Sequence, residues 1–191
     1  MDQKKMEQAV RQFLDALNGD KGAFAGADVE KTPARVAQAW CEDLVRGYSL
    51  DPDAQMSWQT VPPGGGPVMV RGISFASICV HHLLPFSGRA QIAYLPGERQ
   101  AGLSKLGRVV DAHARRLQTQ EHLTASVADT LERTLEPRGV LVMMSAEHTC
   151  MTLRGVKKEQ AQMTTLEARG IYRDAAERDS MLALLRQGVG A

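Results

Sequence analysis

The sequence predicts an α+β fold: N-terminal helices followed by a domain with an antiparallel β-sheet and two helices between its first and last strands. Three observations predict it. Apolar residues recur at three- and four-residue spacing in the first part of the chain; the period drops to two after the break Pro62-Pro63-Gly64-Gly65-Gly66-Pro67; and two helical stripes separate the first strands from the last. The connections between strands are too short for parallel crossovers except across the helical pair, which makes the sheet antiparallel. The break divides the chain into an N-terminal helical region, 1–61, and a main domain, 62–191, that ends in a helix.

Taken in order, Asp2 to Asn18 carries Met6, Val10, Phe13, Leu14 and Leu17 at helical spacing, with Gly19 as a stop. A stretch rich in Gly, Ala and Asp follows, from Gly19 to Val29. Thr32 as N-cap and Pro33 at the first helical position open a second helix, with Val36, Trp40 and Leu44 on one face and an end at Gly47. Cys41 within it reads as a small buried hydrophobe. Beyond the break, Val68, Val70, Ile73 and Phe75 predict a strand with an irregularity at Gly72, and Ala90, Ile92 and Tyr94 a second, closed by Pro96-Gly97. Two helices follow, Ser104 to about Leu117 and Thr119 to about Leu135. The second is striped by Leu123, Val127, Leu131 and Leu135 and ended by Pro137 and Gly139. Val140–Ser145 and Thr149–Leu153 read as two strands with Glu147-His148 at their junction, Thr164–Tyr172 as a last strand, and Asp174–Arg186 as a closing helix.

At 191 residues and 20.8 kDa, with 43% hydrophobic and 24% charged residues, the composition is that of a globular chain with enough apolar material for a core. A formal net charge of +1 gives no general pull toward nucleic acid or an anionic membrane, so neither is expected as a partner and any anion site must be local. No run approaches the roughly 18 apolar residues of a membrane helix, and Met1 to Lys5 is too polar for a secretory signal, so a cytoplasmic location is expected. Three cysteines, Cys41, Cys79 and Cys150, argue against a disulfide framework and read as buried thiols or metal ligands.

Cys79-x-x-His82 places a thiolate and an imidazole three positions apart in a tight loop, and His148-x-Cys150 offers a second such pair. Zinc takes S and N ligands in tetrahedral geometry. Cys79, His82 and Cys150 would form a three-ligand site open to water, leaving His81 and His148 as nearby imidazoles able to move protons. A four-ligand structural site completed by His148 or His81 also fits the spacing, and adjacent histidines can be ordinary polar loop residues. A basic cluster comprises Ser104-Lys105 with Arg108, then Arg115-Arg116, Arg154 and Lys157-Lys158. Lys105 and Arg108 share a helix face at i, i+3, where they could hold phosphates or simply be solvated. Glu121, after Gln120, is either a first-turn helix carboxylate or a partner for a ring edge with two N–H donors, as in guanine.

In this order the motifs resemble the GTP cyclohydrolase I family. The matching stretches are Thr32-Pro-x-Arg35-Val36-Ala37, Gly47-Tyr48, Cys79-x-His81-His82-Leu-Leu-Pro85-Phe86, Gly102-Leu-Ser104-Lys105-Leu-x-Arg108, Arg116-Leu-Gln118-x-Gln120-Glu121-x-Leu-Thr124 and His148-x-Cys150-Met-x-x-Arg154-Gly155. They run from about residue 30 to 172, and chance does not supply so many ordered matches.

The resemblance implies a tunnelling fold assembled into pentameric barrels that stack as a homodecamer, with active sites between subunits. It implies one Zn2+ per subunit on Cys79, His82 and Cys150, activating water for attack on C8 of GTP. Formate then leaves, and the ribose carbons rearrange into 7,8-dihydroneopterin triphosphate. By the same resemblance His81 and His148 carry protons, Gln120 and Glu121 anchor the guanine edge, and Ser104, Lys105, Arg108 and Arg154 hold ribose and triphosphate. Two departures stand out. Val80 occupies a position that is usually Glu in the family, and Glu159 to Glu167 replaces much of a Ser/Thr-rich stretch. They leave room for a specialised paralogue that stops at a ring-opened formamidopyrimidine or takes a related purine. A zinc-stabilised oligomer that binds a nucleotide without chemistry is a third reading.

Overall fold

A computed structural model describes residues 1–18, 27–62 and 64–186. Helix α1 spans Gln3–Asn18 and is capped by Asp2, whose carboxylate accepts from the Lys5 amide at 3.1 Å. The expected stop at Gly19, and most of the Gly/Ala/Asp-rich stretch, lie outside the described residues. Helices α2 (Ala27–Glu30) and α3 (Thr32–Ala39) follow.

The main sheet has the order β5-β2-β3-β6-β7, where β2 is Val68–Cys79, β3 Pro85–Leu95, β5 Leu117–Gln118, β6 Gly139–His148 and β7 Gln162–Gly170. All neighbours are antiparallel except β5, which pairs in parallel with the end of β2 at Ile78↔Leu117 and Cys79↔Gln118. The irregularity expected at Gly72 is present: the β2–β3 register shifts between Val70 and Ile73, and Gly72 sits at φ 70°, a conformation open to glycine.

Helices α4 (Leu103–Ala114) and α5 (Gln120–Leu135) cover one face of the sheet. The predicted stripe Leu123, Val127, Leu131 and Leu135 is fully buried with Leu106, Val109 and Val110 against Phe86, Ala90, Ile92 and Tyr94. Burying each such side chain contributes about 2 kcal/mol, which makes this layer the main source of stability. On the opposite face α7 (Ala175–Arg186) packs Met181 and Leu185 on Ala93, Leu141 and Tyr172. The architecture is therefore α+β, with a helical layer on one face and a single helix on the other.

Several expectations are corrected. Thr149–Leu153 is not a strand: β6 continues through Glu147 and His148, and Thr149–Thr152 forms a short helix, α6. The Thr149 hydroxyl donates to the Pro85 carbonyl at 2.6 Å and the Leu153 amide to the Thr149 carbonyl at 2.9 Å, so the chain turns where local β-propensity would extend it. The second helix begins one residue early, with Lys31 as cap and Thr32 already helical. It passes through a π-turn at Trp40–Leu44 and a 3₁₀ turn at Arg46–Ser49, so Gly47 is not its stop. Gly47 is instead where the chain meets α4: its amide donates to the Arg115 carbonyl at 2.8 Å, and a Cβ there would lie 2.5 Å from the Ala112 oxygen. Cys41 is half-buried rather than buried. Helix α4 ends at Ala114 because Leu117 enters β5. The last strand starts earlier, at Gln162, and stops at Gly170, beyond which Ile171–Arg173 is a 3₁₀ turn. Two short strands, β1 (Trp58–Thr60) and β4 (Arg99–Ala101), pair outside the main sheet and have no periodic signature.

Candidate metal centre

Strand β2 ends at Cys79, and the chain returns into β3 through a tight hydrogen-bonded turn. The Leu83 amide donates to the Cys79 carbonyl and the Cys79 amide to the Leu84 carbonyl, both at 2.9 Å. Leu83 closes this turn in the left-handed region, at φ 54°. The turn puts Cys79 and His82, three residues apart, on one side. Helix α6 then brings Cys150 to the same place from the end of β6, so the ends of β2 and β6, the two strands that flank β3, supply the cluster.

The ligand atoms of Cys79, His82 and Cys150 lie within 4.8 Å of one another. Cys79 Sγ is 3.9 Å from His82 Nδ1, and a tetrahedral zinc, with bonds of about 2.3 Å to sulfur and 2.0–2.1 Å to nitrogen, needs roughly 3.6 Å between such donors. The Cys79–His82 side is within about 0.3 Å of that spacing, and two thiols with one imidazole are a donor set that suits such an ion. Among the described residues three donors converge and not four. His81 is exposed, with its Nδ1 also 3.9 Å from Cys79 Sγ, and does not join the mutual cluster.

Burial raises the Cys150 thiol above its usual pKa, and the neighbouring Cys79 adds to the shift. A metal ion arriving here must displace that proton, so uptake is favoured as pH rises.

His148 ends β6 directly opposite Phe86 on β3. Its ring stacks on the Phe86 ring, with centroids 4.5 Å and planes 4° apart, and its Nε2 is 2.8 Å from Gln120 Oε1. Burial lowers the His148 pKa, while the nearby Glu121 carboxylate opposes the shift. Glu121 itself is exposed in the first turn of α5, which begins from the Thr119 cap. Gln120 beside it is buried, with its side chain hydrogen-bonded to His148, β6 and β7. Arg154 is exposed beyond α6, within electrostatic reach of Cys150.

Ser104, Lys105 and Arg108 are placed elsewhere. Ser104 and Arg108 line a hollow with Gly72, Ile73 and Ser74. Ser74 is five residues before Cys79 on the same strand, or roughly 17 Å at the strand rise. The chain thus brings together Cys79, His81, His82, Glu121, His148, Cys150 and Arg154, and holds Ser104, Lys105 and Arg108 apart from them. In the sequence Phe86 and Thr124 have no role beyond their place in a motif and Thr165 has none, yet the two threonines brace Gln120. Phe86 carries no local signal of its role, because only the β3–β6 register sets it against His148.

The model of the family described as GTP cyclohydrolase I matches residues 6–186. A GTP cyclohydrolase 1 of Streptococcus agalactiae serotype Ia is 45% identical over 188 residues, covering 97% of this chain and 98% of the relative. One of Streptococcus thermophilus is 46% identical over 186 residues, covering 96% and 97%. One of Mycobacteroides abscessus is 46% identical over 187 residues, covering 96% and 90%.

Proposed function

Because this chain belongs to the GTP cyclohydrolase I family, we propose that Cys79, His82 and Cys150 hold the catalytic ion of a hydrolase that converts GTP to formate and 7,8-dihydroneopterin triphosphate. This is the first step of pterin and tetrahydrofolate-type biosynthesis. The observation that carries the reading is the convergence of two thiols and one imidazole, within 4.8 Å, beside the braced imidazole of His148. Two sulfur donors and a nitrogen favour zinc, one per chain, whose contribution when bound is Lewis-acid activation of water.

The chain's own residues do the rest. Hydrolysis of a ring C–N bond needs a proton taken from water and one delivered to the departing nitrogen. His148, through the ring nitrogen that does not face Gln120, and the exposed His81 are the imidazoles placed for this. The Glu121 carboxylate accepts from the two N–H donors of the guanine edge, while the side chain of Gln120 beside it is engaged by His148, β6 and β7. Arg154 supplies positive charge for a phosphate. The three free thiols suit a reducing compartment, which supports a cytoplasmic setting, and among the described residues no helix is long and apolar enough to cross a membrane.

Ser104, Lys105 and Arg108 complete the site from a neighbouring copy, because the gap along β2 separates them from the cluster of their own chain. An open sheet supports this assembly. Strand β7 is terminal in the sheet, and β5 covers β2 only at Ile78 and Cys79, so one copy's β7 edge can extend the next copy's β2 edge. Head-to-tail pairing of unlike edges closes into a ring, consistent with pentameric barrels stacked as a decamer.

Two experiments test the reading. Incubation with GTP is expected to give formate and the pterin triphosphate in equal amounts. Accumulation of a formamidopyrimidine would point instead to the shortened reaction, and no turnover would overturn the reading. Separately, the inactive variants Arg108→Ala and Cys150→Ser are expected to regain activity when refolded together, since a mixed ring contains some sites with neither substitution. No recovery would overturn the composite site.

A further inference from the structure

We propose that Gln120 is a positioning residue that locks His148 as the Nε2–H tautomer, leaving Nδ1 as the ring's proton-accepting nitrogen. The inference rests on the reading of His148 as a proton carrier, and it assigns the Gln120 side chain to that imidazole rather than to the guanine edge.

The direction of every hydrogen bond around Gln120 is set by its neighbours. Its side-chain nitrogen lies 3.0 Å from the Met144 carbonyl on β6, 3.0 Å from the Met163 carbonyl on β7 and 3.1 Å from Thr165 Oγ1. Two of these partners can only accept, so the amide nitrogen must face them; the flipped amide would set an oxygen against two carbonyl oxygens. The hydroxyls agree with this assignment. Thr124 Oγ1 donates to the Gln120 main-chain carbonyl at 2.8 Å, so the 2.6 Å contact between Thr124 and Thr165 takes its proton from Thr165. Thr165 Oγ1 is then free to accept from the Gln120 amide.

The amide oxygen is consequently the end that meets His148 Nε2, at 2.8 Å. An amide oxygen only accepts, so Nε2 must carry the hydrogen. In the neutral ring the lone pair then sits on Nδ1. Stacking on Phe86 fixes the plane of the ring and the Gln120 bond fixes its rotation within that plane, so Nδ1 has one direction. Gln120 is 1% exposed, and water cannot substitute for it without a cavity opening. A single residue at the start of α5 thereby couples β6 and β7 to the tautomer of the proton carrier.

The test combines a spectroscopic and a kinetic arm on the full chain. Solid-state 15N NMR of histidine-labelled wild-type protein, metal-free and zinc-loaded, is recorded at mildly alkaline pH, with His148 identified by the signals lost in His148→Asn. Nε2 is expected in the N–H range and Nδ1 in the lone-pair range in both samples. A protonated Nδ1, or averaged signals from two exchanging tautomers, would overturn the proposal. In Gln120→Met the two tautomers should mix, and kcat should fall about 10- to 100-fold, the range for losing a partner that orients a functional imidazole, with KM for GTP unchanged. A rise in KM with kcat intact would instead make Gln120 a guanine ligand and overturn the proposal. The wild-type spectrum needs no variant, so it decides even where Gln120→Met does not fold. Failure of the wild-type protein to turn over GTP would count against the functional reading, while the tautomer would still be read directly.

Discussion

The His148 imidazole lies flat on the Phe86 ring, 4.5 Å between centroids and 4° from parallel, as a directly opposed pair across β3 and β6. Phe86 is 1% exposed and belongs to the core, so the wall of the proposed reaction site and the core of the domain are the same side chain. Phe86→Leu retains an apolar core residue and removes the flat surface. It is expected to destabilise the chain by about 1–2 kcal/mol, seen in urea unfolding, and to lower kcat by more than that stability loss explains. A variant with reduced stability and unchanged kcat would show that the stack serves packing alone.

Glu121 is exposed at the start of α5, ready to meet a ring edge with two N–H donors. Inosine triphosphate lacks the 2-amino group, so it leaves one of the two hydrogen bonds unmade. The wild-type protein is expected to prefer GTP over inosine triphosphate in kcat/KM, and Glu121→Ala to lose both that preference and most turnover of GTP. Comparison of kcat/KM for the two nucleotides checks this, and an equal preference in both proteins would remove Glu121 from the guanine site.

Gly88 on β3 faces Ala146 on β6, two residues from His148, and a Cβ at Gly88 would overlap the Ser145 carbonyl oxygen. Backbone cannot give way there as a flexible side chain would. Gly88→Ala is expected to cost on the order of 3 kcal/mol and to weaken metal retention, because β6 leads directly into α6, which carries Cys150. Thermal unfolding and bound-metal content check both effects.

Regular amphipathic elements are legible in this sequence because burial imposes a period: Leu123, Val127, Leu131 and Leu135 announce α5, and Ala90, Ile92 and Tyr94 announce β3. Cys79, His82 and Cys150 are legible as candidate ligands because Cys79-x-x-His82 and His148-x-Cys150 pair thiol with imidazole, and the fold brings the three ligand atoms within 4.8 Å of one another. What escapes is whatever tertiary contact decides. Strands β1 and β4 are too short to show a period, and β5 exists only because it lies beside Ile78 and Cys79. Thr149–Thr152 looks extended until Pro85 supplies the acceptor that turns it. Gln120 looks like a companion of Glu121, but successive helix positions do not face the same way, and one is buried while the other is exposed.

His113, between α4 and α5, is buried with its Nε2 2.9 Å from Thr130 Oγ1. Burial lowers its pKa to about 4, helped by Arg116, His122 and Arg133, with Asp53 acting in the opposite direction. The unfolded chain therefore binds a proton at His113 more readily than the folded one. Its contribution to stability is full above the ordinary pKa of about 6.5 and declines as pH falls toward 4, by up to about 3 kcal/mol. Urea unfolding is expected to show that decline, and His113→Gln to flatten it. A slope unchanged by the substitution would assign the decline to other groups.

The most direct test of the metal-centred chemistry is formate release from GTP by the zinc-loaded chain, by the same chain stripped with a chelator, and by Cys150→Ser. The loaded chain is expected to release formate, the stripped chain to retain its folded circular dichroism without turnover and to recover when zinc is returned, and Cys150→Ser to stay inactive under all three conditions. Formate release at the loaded rate from the stripped chain or from Cys150→Ser would contradict a catalytic ion held by Cys79, His82 and Cys150.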